Sequence, residues 1–154
     1  MFGVIQRRLI APVLDLLRQG VTPQKVASAI AIGATLGVFP VLGSTTLLCT
    51  AASLGLGLNL PLIQLVNCLV YPLQLILLIP MLQWGQWLFG EPPLPITLHK
   101  VLEMFRISVW NTVGTLGVAT SRAMLVWLLA SCIAAPAIYL VCVTALRALA
   151  RVRS

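Results

Sequence analysis

Acidic side chains are nearly missing from this sequence. Its 154 residues hold three, Asp15, Glu91 and Glu103, beside one histidine, His99. General acid–base chemistry needs such groups within hydrogen-bond reach of one another. Here they are scattered along the chain, so no catalytic residue is expected and the reading is a non-enzyme. Serine and threonine occur without a placed base to activate them. No phosphate loop, dinucleotide fingerprint or zinc motif is present, so neither a cofactor nor a metal is expected. The cysteines are few as well: Cys49, Cys68, Cys132 and Cys142 form no C-x-x-C and each lies in an apolar run. They read as small buried residues rather than a disulfide framework. Charge of any kind is scarce, 8% of residues against 60% hydrophobic. A soluble domain carries roughly 25% charged residues. That gap excludes the ordinary soluble class and implies an integral membrane protein.

The charge that is present has a pattern. The net value is +7, and the cations gather at the ends: Arg7, Arg8, Arg18 and Lys25, then Arg147, Arg151 and Arg153. Basic flanks of this kind mark cytoplasmic ends and meet anionic lipid. Without a folded basic face, nucleic acid is not an expected partner. The N-terminus does not read as a cleavable signal, because Arg7, Arg8 and Asp15 interrupt its apolar residues. Residues 1–21 instead suit an amphipathic helix in the membrane interface, ended by Gly20.

Residues 22–90 read as the membrane core. Thr22-Pro23 is a helix start, with Thr as cap and Pro in the first turn. The helix from Gln24 to Val38 carries Ala29, Gly33 and Gly37 at four-residue intervals, a register that admits a second helix backbone closely. Its apolar part is short, ~20 Å at 1.5 Å per residue. Pro40 and Gly43 then break the chain. Ser44, Thr45 and Thr46 are placed to cap a second helix through Leu47 to Leu58. Two short apolar helices around a break predict a re-entrant hairpin over 24–58; one long kinked span from Val26 to Leu58 is the alternative. Pro61 restarts the chain, and a full span over 61–89 follows, with Pro72 and Pro80 inside it and Trp84 and Trp87 at its exit. Residues 91–154 read as a loop, an amphipathic helix from Thr97 to Trp110, a small-residue stretch and a final span from Ala123 to Leu146 with a basic tail. The fold class is therefore all-α and polytopic, with a hairpin, two full transmembrane helices and interfacial helices. Both ends lie in the cytoplasm. A short echo, Ala34-Thr35-Leu36-Gly37-Val38 against Gly114-Thr115-Leu116-Gly117-Val118, raises an internal repeat.

The run T-P-x-x-x-A-x-x-x-A-x-G-x-x-x-G-V-F-P-V-L-G-S-T-T-L-L, then L-N-L-P, then V-Y-P-L-Q, resembles the bacterial DUF2062 family of small membrane proteins. The resemblance covers about Thr22 to Gly90, and no motif in residues 91–154 adds to it. The family is named for its unknown function. Members fused to a glycosyltransferase domain imply a link to envelope polysaccharide or lipid-linked sugar. Many members have Asn-Pro where this chain has Tyr71-Pro72; Asn67, one turn earlier, is placed to supply the amide.

One stripe stands out on the first long span. Gln64, Asn67, Tyr71 and Gln74 are spaced to share a helical face. Together with Ser44, Thr45, Thr46 and Arg122 they are the candidate substrate-binding residues, with helix N–H groups near Ser44 suited to an anionic headgroup. Pro40, Gly43, Pro61 and Pro72 are the candidate hinges. Two functions compete. In one, a small inner-membrane protein moves a lipid-linked or anionic lipid between leaflets in envelope biogenesis. In the other, a non-catalytic scaffold uses the Ala29, Gly33 and Gly37 face to hold a membrane enzyme or a second copy. In the plainer case the stripe only hydrogen-bonds neighbouring helices. Arg122 either holds a phosphate, with Arg106 nearby, or snorkels to the interface.

Overall fold

The computed structural model describes residues 21–92 and 106–152, together with Asp15 and Glu103. The expected interfacial helix over 1–21, and most of the segment between Pro93 and Phe105 with His99, lie outside the described residues. Four helices form the described chain: α1 Pro23–Gly37, α2 Thr45–Leu56, α3 Leu60–Leu88 and α4 Val109–Val152. Among the described residues there is no strand. The all-helical class expected from the sequence is what the structure has.

Local chemistry sets the boundaries. The Thr22 side chain accepts from the Lys25 N–H and Pro23 fills the first turn of α1. Asn59 caps α3 in the same way, accepting from the Leu62 N–H at 2.9 Å. Gly57, in the left-handed region at φ 60°, ends α2, and the Leu58 N–H closes it on the Ser53 carbonyl at 2.9 Å. Ser108 starts α4 by accepting from the Asn111 N–H.

The single span expected over 61–89 is present as α3, which runs unbroken for 29 residues through the candidate hinge Pro72. Pro61 lies in the first turn, where its missing donor costs nothing, and Pro72 is carried inside the helix. One boundary differs from expectation: the small-residue stretch over 111–121 and the span from Ala123 to Leu146 are not separate, since α4 is one helix of 44 residues. The hydroxyls of Thr112, Thr115 and Thr120 donate back to carbonyls one turn earlier, at 2.7–2.9 Å. Their polar groups are thereby satisfied inside the helix and need no loop.

Packing fixes the directions. Gly33 of α1 faces Ile63 and Val66 of α3, and Gly37 faces Asn67 and Val70, so the two helices run side by side in the same sense. A Cβ on Gly33 would sit 3.0 Å from the Ile63 carbonyl oxygen. α4 runs the other way. Its Val143 and Leu146 share a core cluster with Val26 and Leu62, and its Arg122 and Ala123 press on Gly85 at the far end of α3. α2 folds back against α3 and α1. The chain between α1 and α2 turns where the Phe39 carbonyl accepts from Gln74 Nε2 at 2.7 Å. Gln74 is twelve residues from Leu62 and twelve from Gln86, ~18 Å each way along α3. The hairpin of α1 and α2 thus covers one half of α3 and stops.

α3 and α4 are both long and apolar enough to cross a membrane. The most apolar window of α4 is only 6% buried within the chain, and that of α3 28%. A soluble core helix would be mostly buried, so these apolar faces are turned towards something other than this chain's own interior.

Candidate functional site

The site is a ladder of amides between the hairpin and α3. Gln64 Nε2 donates to the Thr46 carbonyl at 3.0 Å and to Thr50 Oγ1 at 2.9 Å. Thr50 Oγ1 itself donates to the Thr46 carbonyl at 2.8 Å. Both groups facing the Gln64 nitrogen are therefore acceptors, which fixes the orientation of the amide. Its Oε1 then receives Asn67 Nδ2 at 3.3 Å. Asn67 in turn directs Oδ1 towards Gly37, where a Cβ would lie 3.2 Å away. Two turns further, Gln74 commits its nitrogen to the Phe39 carbonyl.

This arrangement leaves a deficit. Asn67 is 5% exposed and Gln74 1% exposed. Asn67 Oδ1 and Gln74 Oε1 are buried with no donor among the described residues. A buried acceptor without a partner costs about 1–3 kcal/mol. A hydroxyl, an ammonium or a water would satisfy either oxygen. Near the break, an apolar cleft of about 230 Å³ opens between α1, α3 and α4, with Thr35, Val38, Leu73 and Trp127 in its walls. The Trp127 indole N–H donates to the Thr35 carbonyl at 3.0 Å, and its ring meets Phe39 edge-on, centroids 4.9 Å apart. Trp127 therefore braces the end of α1 at the turn.

The expected site residues separate into groups. Gln64, Asn67 and Gln74 all face the hairpin, Gln64 against α2, Asn67 against Gln64 and Gly37, and Gln74 against the turn after α1. Tyr71 is not: it has the right helical spacing but is 46% exposed and makes none of the ladder's hydrogen bonds. α2 covers α3 near Gln64, and the turn covers it near Gln74, so neither closes over Tyr71. Ser44 was expected to cap α2, but its hydroxyl donates to the Val41 carbonyl at 2.9 Å and makes no cap bond. Thr45 is buried, and Thr46 contributes its carbonyl rather than its hydroxyl. Arg122 is also apart from the ladder, at the opposite end of α3, where Nη1 donates to Gln86 Oε1 and Nη2 lies 3.5 Å from Glu91. The register explains this: α4 is antiparallel to α3, so Arg122 falls beside Gly85, one half-length away from Gln74.

The candidate hinges divide too. Pro40 is buried in the turn, and Gly43 holds φ 85°, a left-handed value that favours glycine. The Ala29, Gly33 and Gly37 face is buried inside the chain against α3 and its neighbours. It is therefore not free to dock a partner. Gly117, the counterpart of Gly37 in the sequence echo, and Gly114, the counterpart of Ala34, have no described atom within 4 Å of a notional Cβ. The echo is thus not a packing equivalence. Sequence reasoning missed Gly85, where a Cβ would sit 2.9 Å from the Arg122 carbonyl carbon. It also missed Gln86, which is 5% exposed although its neighbours read as an interfacial belt.

These features lie along one continuous family match, described as "Uncharacterized protein conserved in bacteria (DUF2062)", over residues 6–154. The chain belongs to the DUF2062 family. The match extends past Gly90, where the sequence resemblance stopped, so α4 is as much part of the DUF2062 unit as the hairpin is. No curated protein and no solved structure matches the chain.

Proposed function

We propose that this DUF2062 chain is a polytopic inner-membrane protein that moves an anionic, lipid-linked substrate between leaflets. In this reading α3 and α4 cross the bilayer, and α1 with α2 enters as a re-entrant hairpin whose turn stops near the midplane. Lys25 and Arg147 then lie at the cytoplasmic end with both termini. The single observation that carries the reading is the polar deficit at Asn67 and Gln74. Gln74 Oε1 sits at the midpoint of α3 beside the helix break, and Asn67 Oδ1 lies two turns nearer the start of α3; an apolar cleft walled by their neighbours Val70 and Leu73 opens close by. Broken helices beside a polar spot at the midplane are how membrane transporters build a path. Coupling to protons through a carboxylate is not part of the proposal, because α1 to α3 contain no Asp or Glu.

The test is reconstitution of the pure chain in liposomes with labelled lipids, polyprenyl phosphate among them. Transfer above protein-free liposomes for at least one anionic class is the expected result. Absence of transfer for every class overturns the reading.

The second reading, a non-catalytic scaffold for an envelope-glycan enzyme or for a second copy, has one observation of its own. α4 presents a long apolar face, with Trp110 85% and Ile133 76% exposed. A partner would dock there, not on the Gly33 and Gly37 face. Co-purification of a stoichiometric membrane protein, lost on Ile133→Asn, supports it.

A further inference from the structure

The far end of α3 carries a second constellation that the amide ladder does not use. Trp84, Trp87 and Leu88 of α3 and Val126 and Leu129 of α4 line an open apolar groove of about 530 Å³. Arg122, Val126 and Leu129 are spaced i, i+4 and i+7, so one face of α4 carries a cation followed by the groove wall. The guanidinium is anchored from below by buried Gln86 and lies over the Phe89 ring, 5.0 Å from its centroid. Its other fork faces Glu91 at 3.5 Å, longer than the ~2.8 Å of a tight charge-assisted bond. Glu91 is half exposed, yet its backbone is pinned. Gly90 adopts φ 68°, and the Glu91 N–H donates to the Gln86 carbonyl at 3.1 Å. A loosely engaged internal anion is therefore held over a fixed cation one helical turn from the Val126 wall of an apolar groove.

The geometry points to a binding site for a lipid with a phosphate monoester headgroup, its chain along Trp84, Trp87 and Leu129 and its phosphate replacing Glu91 on Arg122. Several observations favour this occupant. Arg122 presents a planar fork that matches phosphate oxygens in pairs. The groove is apolar and opens sideways, as a chain from the bilayer requires. Arg122 also stands ~18 Å along α3 from the hairpin turn, about half a bilayer core plus the headgroup edge. This depth assignment rests on the membrane reading above; the cation, its displaceable anion and the groove do not.

The experiment uses the full chain in phosphatidylcholine nanodiscs. Lipids brominated on their acyl chains quench tryptophan fluorescence on contact; because Trp110 is exposed as well, the part of the quenching that a Trp84→Phe, Trp87→Phe variant loses reports occupancy of the groove. Brominated phosphatidic acid is expected to quench at concentrations at least tenfold below those of brominated phosphatidylcholine. Arg122→Gln is expected to remove that preference. Glu91→Gln, a change on an exposed side chain that leaves the helices intact, is expected to tighten phosphatidic acid binding about threefold, the scale of a lost competing surface pair. Unlabelled polyprenyl phosphate and phosphatidic acid then compete, and the stronger competitor names the lipid class. Equal quenching by both brominated lipids overturns the proposal, as does a preference that survives Arg122→Gln or binding that Glu91→Gln leaves unchanged or weakens. Displacement by inorganic phosphate at the same concentrations overturns the lipid assignment. The assay reads binding with both leaflets accessible. Intact binding without transport counts against the pathway alone, and transport without this binding counts against the site alone.

Discussion

Gln74 concentrates two opposing terms in one side chain. Its nitrogen satisfies the Phe39 carbonyl at the turn, while its Oε1 is buried without a donor. Gln74→Leu removes both, leaving a bare carbonyl where there was a bare amide oxygen. The stability change is therefore expected within about 1 kcal/mol, measured by thermal unfolding in detergent. Lipid transfer, in contrast, is expected to fall to the protein-free level. A large stability loss with intact transfer would assign Gln74 to structure alone. The four-residue polar spacing was readable in the sequence, but which members pair was not. Tyr71 shares that spacing and is nonetheless exposed, because coverage depends on where α2 ends and the turn begins.

Between elements, small residues decide how closely helices approach, and the structure ranks them. Gly33 and Gly85 have backbone atoms of a neighbouring helix at 2.9–3.0 Å from a notional Cβ, while Gly114 and Gly117 have open space. Gly33→Ala and Gly85→Ala are expected to destabilise by about 1–3 kcal/mol through overpacking. Gly114→Ala is expected to be neutral or to stabilise by up to ~1 kcal/mol, since alanine is the better helix former. Unfolding midpoints of the three variants in one detergent check the order. The Gly33 and Gly37 stripe was visible as a four-residue period. Gly85, a lone glycine in an apolar span, carried no periodic signal, and its tight contact exists only because α4 crosses there.

At the level of the whole molecule, the hairpin puts the N-terminal end of α1, the turn between α2 and α3, and the C-terminal part of α4 at one end. Arg122 and Glu91 lie at the other. In the re-entrant arrangement, a cysteine at Leu56 reacts with a membrane-impermeant thiol reagent from the same side as one at Gln24. A cysteine at Glu91 reacts from the opposite side. Native cysteines are replaced first, since Cys68 and Cys132 are exposed on the helix faces. Labelling of positions 24 and 56 from opposite sides would show a full crossing in place of the hairpin. Where the hairpin stops along α3 was not legible in the sequence; it needed the contact between Phe39 and Gln74.

The sequence by itself determined the all-helical class, the cap at Thr22, the break at Pro40 and the family, because each rests on local chemistry or on an ordered run of residues. The tertiary structure alone decided that Arg122 leaves the amide ladder for Gln86 and Glu91, that Gly37 closes over Asn67, and that α4 continues through its small-residue stretch. Such outcomes depend on the relative direction and register of helices far apart in the chain. No spacing within a single helix encodes those quantities.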